Sequence, residues 1–175
     1  MCPTATESKP APMGTVPPAE ARPRLPAWLM AGLLVLVTMA LYWPVTVHDF
    51  VNFDDDVYVT ANARVQSGLS WGNIKWACLN SVCDNWNPLT VWSHMAVCQV
   101  CGLNPWGHHL TNVLLHAFNA GLVFALLQVM TGATWRSLLV AALFAMHPLR
   151  VEAVAWVSER KDLLSGFFGL LALIA

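Results

Sequence analysis

The sequence contains few charged residues and no excess of basic ones. Charged side chains make up 11% of its 175 residues, against about 25% in an ordinary soluble domain. Nine Lys and Arg are balanced by ten Asp and Glu, so the net charge is −1. A chain without a basic surface has nothing to hold a nucleic-acid backbone. The composition therefore excludes nucleic acid as a partner and argues against a water-soluble domain.

Hydrophobic residues, in contrast, are abundant and are gathered in runs. They make up 57% of the chain, which also contains nine Trp, a residue that concentrates at membrane–water interfaces. Residues 1–26 differ, because they hold seven of the eleven Pro and show no apolar period. We predict a disordered tail over these residues, followed by an all-α protein of polytopic membrane helices.

Four apolar segments predict three to four membrane-spanning helices. The first two are uncharged and, at about 1.5 Å per residue, long enough to cross most of a hydrocarbon layer of about 30 Å. The third stops before Pro148, because proline disfavours helix in the residue that precedes it. The fourth reaches residue 175 without flanking charges, which we interpret as a chain cut inside a span. The predicted spans are residues 27–43, 110–130, 135–147 and 152–175.

Residues 44–109, between the first two spans, form an acidic loop. Regular apolar spacing predicts a short helix over residues 70–79, and Asn87-Pro88 supplies the start of a second helix that ends at Gly102. Both are predicted to be interfacial helices that rest on the membrane surface. Basic residues before the first span and between the second and third favour the cytoplasm for those segments. The loop is therefore predicted to face the non-cytoplasmic side.

Three consecutive acids, Asp54, Asp55 and Asp56, follow the first span. Adjacent carboxylates repel one another, so one of them can serve as a general base, or the group can hold a divalent cation. The alternative is a solvated acidic turn that caps the following helix. The spacing alone leaves these interpretations open.

Charged side chains are concentrated in residues 147–162, next to apolar sequence on both sides. Each charge at the bilayer centre would cost about 2.5–3.5 kcal/mol, so these residues must lie at a mouth or in a wet cavity. If the chain is helical from Glu152 onward, Trp156 and Glu159 lie on the same helix face as Glu152, and Arg160 lies at the edge of that face. Such a face can bind an anionic headgroup together with a polar acceptor. The alternative is a patch of salt bridges beside the membrane.

Polar residues recur at helical spacing along the second span, at His108, Asn112, His116 and Asn119. A stripe of this kind faces other helices or a cavity, and not lipid. We predict hydrogen bonds between helices. Haem ligation by the histidines is the alternative.

Four cysteines lie in the loop as two pairs, Cys78 with Cys83 and Cys98 with Cys101. Their number suits a zinc site, and a non-cytoplasmic location suits disulfides. The apolar residues between them favour a third interpretation, in which the cysteines pack as small apolar side chains. We therefore predict no metal site among them.

Several strings of the sequence resemble one family, in the family's order. They are FVNFDDDVYVTANARVQSGLSW, WNPLTVWSHM, GLNPWGHHLTNVLLHAFNA and ALFAMHPLRVEAVAWVSERKDLLS. Together they resemble the N-terminal membrane part of the transmembrane and tetratricopeptide-repeat O-mannosyltransferase-like proteins. These are polytopic glycosyltransferases that use a polyprenyl-phosphate-linked sugar. The resemblance covers residues 44–175.

The resemblance implies a GT-C-like fold of many membrane helices, here truncated, with residues 27–175 as the N-terminal part of a glycosyltransferase domain. It places the family's acidic motif on Asp54 and Asp55. One of these carboxylates would take the proton of an acceptor hydroxyl as that hydroxyl attacks the sugar, and the lipid phosphate would leave. Which of the two is the base stays open.

The same scheme suggests roles for the charged residues of the later segment. Glu152 and His147 would help to shape the donor or acceptor pocket. Arg160 and Lys161 would bind the phosphate of the donor, an assignment that rests on their charge and position.

From the resemblance we expect a membrane glycosyltransferase that transfers a sugar, mannose in the family scheme, from a polyprenyl-phosphate donor to a protein hydroxyl. We expect it in the bacterial inner membrane or the endoplasmic reticulum, with its active side non-cytoplasmic. The sequence shows neither the family's later spans nor a repeat of about 34 residues that would mark tetratricopeptide units. This piece alone is therefore expected to be unable to enclose a donor lipid and to be inactive. No cofactor is predicted apart from the divalent cation that the three acids could hold. The alternative is a non-catalytic membrane scaffold or an inactive relative.

Overall fold

The computed structural model describes residues 25–175, which fold into helices joined by short turns. The predicted disordered tail lies outside the described residues, apart from its last two. The all-α class is confirmed for this part of the chain. Its α-helices are α1 (Ala27–Tyr42), α2 (Ala63–Gln66), α3 (Trp71–Leu79), α4 (Pro88–Cys101), α5 (Pro105–Thr131), α6 (Thr134–Met146), α7 (Val151–Ala155) and α8 (Arg160–Ile174). They are accompanied by 3₁₀ turns at Trp43–Val47, Pro148–Arg150 and Val157–Glu159 and by a π-helical turn at Asp56–Thr60.

Two helices are long and apolar enough to cross a membrane. These are α5, with 27 residues, and α1 continued through its 3₁₀ turn as Ala27–Val47, with 21 residues. The helix α6 and the segment Pro148–Ala155 form a third span if the pair is counted as one, with a bend of 54° between them. The bend falls at Pro148, where the sequence predicted an interruption. The described residues therefore contain two or three candidate spans.

The helix α5 lies at the centre of the bundle, and α1, α6 and α8 all pack against it. Its start is fixed by Asn104, whose side chain accepts a hydrogen bond from the backbone N–H of Trp106, and by Pro105 in the first turn. It ends at Gly132, where φ is +64°, a left-handed conformation that glycine adopts without strain. Both ends of the longest helix are thus set by local sequence.

The predicted span over residues 152–175 is not one continuous helix. The helix α7 ends at Ala155, Trp156 has an extended backbone with ψ of 121°, and α8 begins only at Arg160. The physical reason is a partner from far along the chain, because the Asp55 carboxylate accepts the backbone N–H of Ser158 at 2.9 Å. The expected shared face of residues 152, 156 and 159 consequently does not form.

The loop between the first two spans has a hydrophobic core of its own. Its buried residues come from the π-helical turn, from α2, α3 and α4, from the turn between α3 and α4, and from the later turn that contains Val157. They are Tyr58, Val59, Val65, Ala77, Val82, Val91, Met95, Cys98 and Val157. The presence of Val157 shows that the loop packs against the break between α7 and α8. The loop is therefore a folded part of the structure.

Both helices predicted in the loop are present. The helix α3 begins at Ser70, whose hydroxyl accepts the backbone N–H of Asn73, and α4 begins at Asn87-Pro88 and ends at Gly102. The Asn87 side chain does not cap its helix, because its Nδ2 donates to the Tyr58 hydroxyl at 3.0 Å. That α3 and α4 rest on the membrane surface stays a prediction.

Substitution of Gly107 tests the packing of α4 against α5. A Cβ atom at this position would lie 2.6 Å from the Cβ of Cys101 and 2.7 Å from its sulfur. We expect Gly107→Ala to lower the free energy of unfolding by about 1–3 kcal/mol, since overpacking forces neighbours to shift. Gly32→Ala is the matched control, because no atom lies within 4 Å of the added Cβ there. Thermal unfolding in detergent checks this, and equal melting temperatures for the two variants would contradict it.

Candidate functional site

Asp55, one of the two predicted catalytic acids, is fully buried and holds two distant segments together. Its Oδ1 accepts hydrogen bonds from the backbone N–H and the hydroxyl of Ser158, and its Oδ2 accepts the N–H of Val51 at 3.0 Å. Both carboxylate oxygens are therefore engaged. The side chain clamps the loop after α1 to the turn that precedes α8.

Arg160, predicted to bind phosphate, is also fully buried. Its Nε donates to the Asn112 side chain at 2.8 Å, its Nη2 to the backbone carbonyl of His108 at 2.8 Å, and its Nη1 to Ser93 at 3.4 Å. A buried cation needs such partners because its hydration has been lost. The guanidinium joins α4, α5 and α8, and Asp55 lies close enough to interact with its charge.

A second group of charged side chains lies on the accessible side of this cluster. Asp54 and Asp56 are half-buried, and Lys161 is 31% exposed. All three act on one thiol: burial raises the pKa of Cys83, the Asp54 and Asp56 carboxylates raise it further, and Lys161 opposes them. Since electrostatic effects of this kind are short-ranged near water, each of the three charges lies near the Cys83 thiol.

Asp54 differs from its neighbours in its hydrogen bonds. The Asp56 carboxylate accepts the N–H of Val57 at 2.8 Å, and the Asp55 carboxylate is engaged as described above. Among the hydrogen bonds of residues 25–175, none uses the Asp54 carboxylate. Of the three acids, Asp54 is thus the one whose oxygens are left for a further partner.

An apolar groove of about 590 Å³ begins beside Lys161 and runs between the start of α4 and the face of α8. The Lys161 ammonium pairs with Glu159 at 2.7 Å. Most of the groove is apolar, with a few polar groups; its lining is Trp86, Asn87, Pro88, Leu89, Thr90, Trp92, Lys161, Leu164, Ser165 and Phe168. A groove with this lining suits a lipid chain that carries a charged end.

The polar stripe predicted on the second span forms the interhelical hydrogen bonds expected of it. The Asn112 amide donates to the carbonyl of Trp156 at 3.1 Å, and the Asn119 amide donates to that of Leu163 at 2.9 Å. His116 Nε2 lies 2.9 Å from the carbonyl of Ala145. The stripe therefore holds α6, α7 and α8 against α5.

Two predicted site residues lie away from this cluster. His147 and Glu152 are exposed, and neither lines the groove beside Lys161. The ring of His147 accepts the N–H of Leu149 at 3.3 Å and so caps the 3₁₀ turn that follows. Their assignment to a substrate pocket stays a prediction.

The described residues contain no group of three or more His, Cys, Asp or Glu side chains that could hold a metal ion. Cys78, Cys83, Cys98 and Cys101 are unbridged. Neither the zinc site nor the disulfides considered for the two cysteine pairs are present in this part of the chain.

His94 and Ser158 belong to the cluster but were not assigned a role from the sequence. His94 is fully buried, and its ring stacks on that of His108 with 5.7 Å between centroids. Burial lowers the pKa of His94 well below its usual value, and the neighbouring Arg160 lowers it further. His94 shares a helix face with Val91 and Cys98, so apolar periodicity could have identified it as buried. No local signal marks Ser158.

Arg160→Lys tests whether the planar guanidinium is required at the centre of the cluster. A lysine ammonium has one donor atom and does not reach Asn112, Ser93 and the His108 carbonyl together. We expect a loss of about 2–3 kcal/mol in the free energy of unfolding, the value of one or more charged hydrogen bonds. Arg64→Lys, at an exposed position of α2, is the control. Unfolding of Arg160→Lys at the wild-type temperature would be the contrary result.

The buried imidazole of His94 predicts a dependence of stability on pH. Because the folded pKa is lowered, the unfolded chain binds the proton first, and stability is lost as the pH falls below the unfolded value of about 6.5. Between pH 7.5 and 5.5 this residue should lower the free energy of unfolding by about 1 kcal/mol. We expect His94→Leu to show a correspondingly smaller loss in unfolding measured at both pH values. His48→Gln, at an exposed position, should behave as wild type, and identical losses in all three proteins would contradict the assignment.

The sequence is similar to protein O-mannosyl-transferases of several animals. It is 32% identical to the human protein O-mannosyl-transferase TMTC2, over 78% of this chain and 17% of that protein. It is 36% identical to Tmtc2 of Drosophila melanogaster, over 63% of this chain and 13% of that protein, and 31% identical to human TMTC4, over 90% and 24%. The chain thus spans less than a quarter of the length of these relatives. No family model matches the sequence, and no solved structure matches the chain.

Proposed function

The chain is a relative of the TMTC protein O-mannosyl-transferases, and on that premise we propose that it provides the N-terminal membrane part of an enzyme that mannosylates protein hydroxyls. The observation that carries the proposal is the position of Asp54. Its carboxylate is half-buried and takes part in no hydrogen bond of the described residues, and both it and Lys161, which lines the groove, act on the Cys83 thiol. A base and a cation in one place are what displacement of a phosphate by a hydroxyl requires.

In this proposal Asp54 is the general base and Asp55 is a positioning residue. Both oxygens of Asp55 are occupied by Ser158 and Val51, so this carboxylate has little capacity to take a proton from a substrate. Its bonds fix the backbone of the acidic turn. Asp54, the preceding residue, is thereby held in place with its own carboxylate left unpaired.

The donor in this proposal is a polyprenyl-phosphate sugar. The apolar lining of the groove would contact the prenyl chain, and Lys161 would bind the phosphate at its end. The N-terminus of α4, a helix of 14 residues, contributes Asn87 and Pro88 to the same groove. A helix N-terminus favours a negative charge. The phosphate would therefore be attracted by two independent features.

The reaction follows from these positions. Asp54 accepts the proton of a Ser or Thr hydroxyl, whose oxygen forms a bond with the anomeric carbon of the sugar. The bond between that carbon and the phosphate oxygen breaks, and the electron pair leaves with the lipid phosphate. Lys161 stabilises the charge that develops on the leaving group. This places the reaction on the membrane side that the loop faces, which we propose to be non-cytoplasmic.

A non-catalytic membrane scaffold is the competing function. It is favoured by the burial of Asp55 and Arg160, whose hydrogen bonds already account for their presence in the fold. The two functions differ at Asp54, whose carboxylate forms no hydrogen bond within the described residues. A scaffold function assigns no role to this unpaired carboxylate.

Asp54→Asn separates the two functions. In the full-length protein in membranes we expect the rate of mannose transfer to an acceptor peptide to fall by about 10²–10⁴-fold, the usual contribution of a general base. Asp56→Asn is the matched control, because it changes an adjacent half-buried acid, and transfer should stay within about threefold of wild type. Transfer is measured with a radiolabelled polyprenyl-phosphate mannose, and insertion by protease protection.

The result that would overturn the proposal is normal transfer by Asp54→Asn in a correctly inserted protein. Lys161→Gln provides a second measurement. We expect it to raise the KM for the donor at least tenfold with a smaller effect on the KM for the acceptor peptide. An unchanged donor KM would remove the phosphate role from Lys161.

A further inference from the structure

A second cavity, of about 250 Å³, lies between α5, the α6–α7 bend and α8. None of its lining residues belongs to the groove beside Lys161. Two buried polar side chains of α5 line it, His116 and Asn119, which are 1% and 2% exposed. The proposed transfer reaction uses neither of them.

The unpaired atoms of these two side chains are both hydrogen-bond acceptors. The Asn119 amide nitrogen donates to the carbonyl of Leu163, which leaves its oxygen without a partner. His116 Nε2 lies 2.9 Å from the carbonyl of Ala145, and since a carbonyl only accepts, Nε2 carries the proton. Nδ1 of the neutral ring is then an acceptor, and it too has no partner. The cavity therefore requires a ligand that donates.

Two charged residues complete the lining. The Arg150 guanidinium lies 4.4 Å above the centre of the Phe144 ring, and the Asp162 carboxylate belongs to the first turn of α8. The cavity thus offers one cation and three acceptors, namely Asp162, His116 Nδ1 and Asn119 Oδ1. A ligand with a primary ammonium and a phosphate matches this set in both charge and number of N–H donors.

The cavity lies in the loop-side half of the membrane layer that α5 would cross. Measured from the end of α5 at Thr131, His116 lies about 23 Å along the helix at 1.5 Å per residue. With Thr131 at one boundary of a hydrocarbon layer about 30 Å thick, His116 lies about 7 Å inside the loop-side boundary. A headgroup would reach it from that side past the exposed Arg150 and Asp162. The rest of the lining, including Phe144 and Leu163, is largely apolar.

We propose that this cavity binds the headgroup of a phosphatidylethanolamine molecule from the loop-side leaflet. The ammonium donates to Asp162, His116 and Asn119, and Arg150 binds the phosphate. The bound lipid fills the angle between α7 and α8 and supplies the donors that two buried acceptors lack. The site is separate from the transfer reaction and does not depend on it.

A headgroup series on the wild-type chain tests the proposal. Native mass spectrometry in detergent compares dioleoyl lipids with ethanolamine, N-methyl-, N,N-dimethylethanolamine and choline headgroups, which lose N–H donors one at a time. We expect the bound fraction to fall stepwise, with a difference of at least about tenfold between the ends, because each charged hydrogen bond contributes substantially. Equal binding across the series overturns the proposal and would mean that water, and not a lipid headgroup, occupies the cavity.

Two variants of exposed residues locate the binding. Asp162→Asn should abolish the preference for ethanolamine over choline, and Arg150→Gln should lower binding of both lipids. Asp49→Asn and Arg136→Gln, at exposed positions outside the cavity, are the matched controls and should bind as wild type. Dioleoylphosphatidylglycerol forms a further arm, since it has hydroxyl donors and a net negative charge. If it binds as tightly as phosphatidylethanolamine, or if Asp162→Asn keeps the preference, the ammonium site is refuted.

Discussion

The hydrogen bonds that Asp55 accepts from Ser158 connect residues 103 positions apart, and much of the structure depends on them. A buried carboxylate is stable only when its oxygens are paired. Because the N–H of Ser158 donates to Asp55, it does not form the α-helical hydrogen bond that would join α7 to α8. The two are therefore separate helices with a turn between them. The same turn brings Arg160 beside α5 and directs Lys161 to the groove at α4. The placement of the charged residues in this region follows from one buried acid.

The polar face of α5 satisfies backbone groups that the helix breaks leave unpaired. The last carbonyls of a helix have no partner within it. The carbonyl of Ala145 lies in the last turn of α6 and that of Trp156 just after α7, and they are bonded to His116 and Asn112 of α5. In a membrane an unpaired carbonyl is expensive, because water is absent. The polar stripe therefore makes the two breaks possible inside a helical bundle.

Burial divides the charged residues of this region into two groups. Asp55 and Arg160 are fully buried, and their side chains form hydrogen bonds within the fold. Asp54 and Lys161 lie next to them in sequence but on the accessible side. Chemistry needs a group that can meet a substrate, whereas positioning needs one that is fully paired. In the proposed function the acidic turn and the start of α8 each supply one residue of each kind.

The sequence by itself determined the features that depend on local composition. Hydrophobic runs predicted the membrane helices, Asn87-Pro88 and Gly102 the limits of α4, and the spacing of polar residues the hydrogen bonds of the second span. In each case neighbouring residues carry the signal, through helix period or capping. The resemblance that pointed to the mannosyl-transferases rested on local strings in the same way.

Only the tertiary structure decided which acid is buried, where the last segment breaks and that His94 lies beside Arg160. Asp54 and Asp55 are chemically identical, and what separates them is Ser158, which no local pattern connects to either. The continuous helix expected from residue 152 was wrong for that reason. The cavity at His116 and Asn119 likewise exists only because three helices meet there. Such features arise from the pairing of buried polar groups across long sequence separations, where helix propensity has no influence.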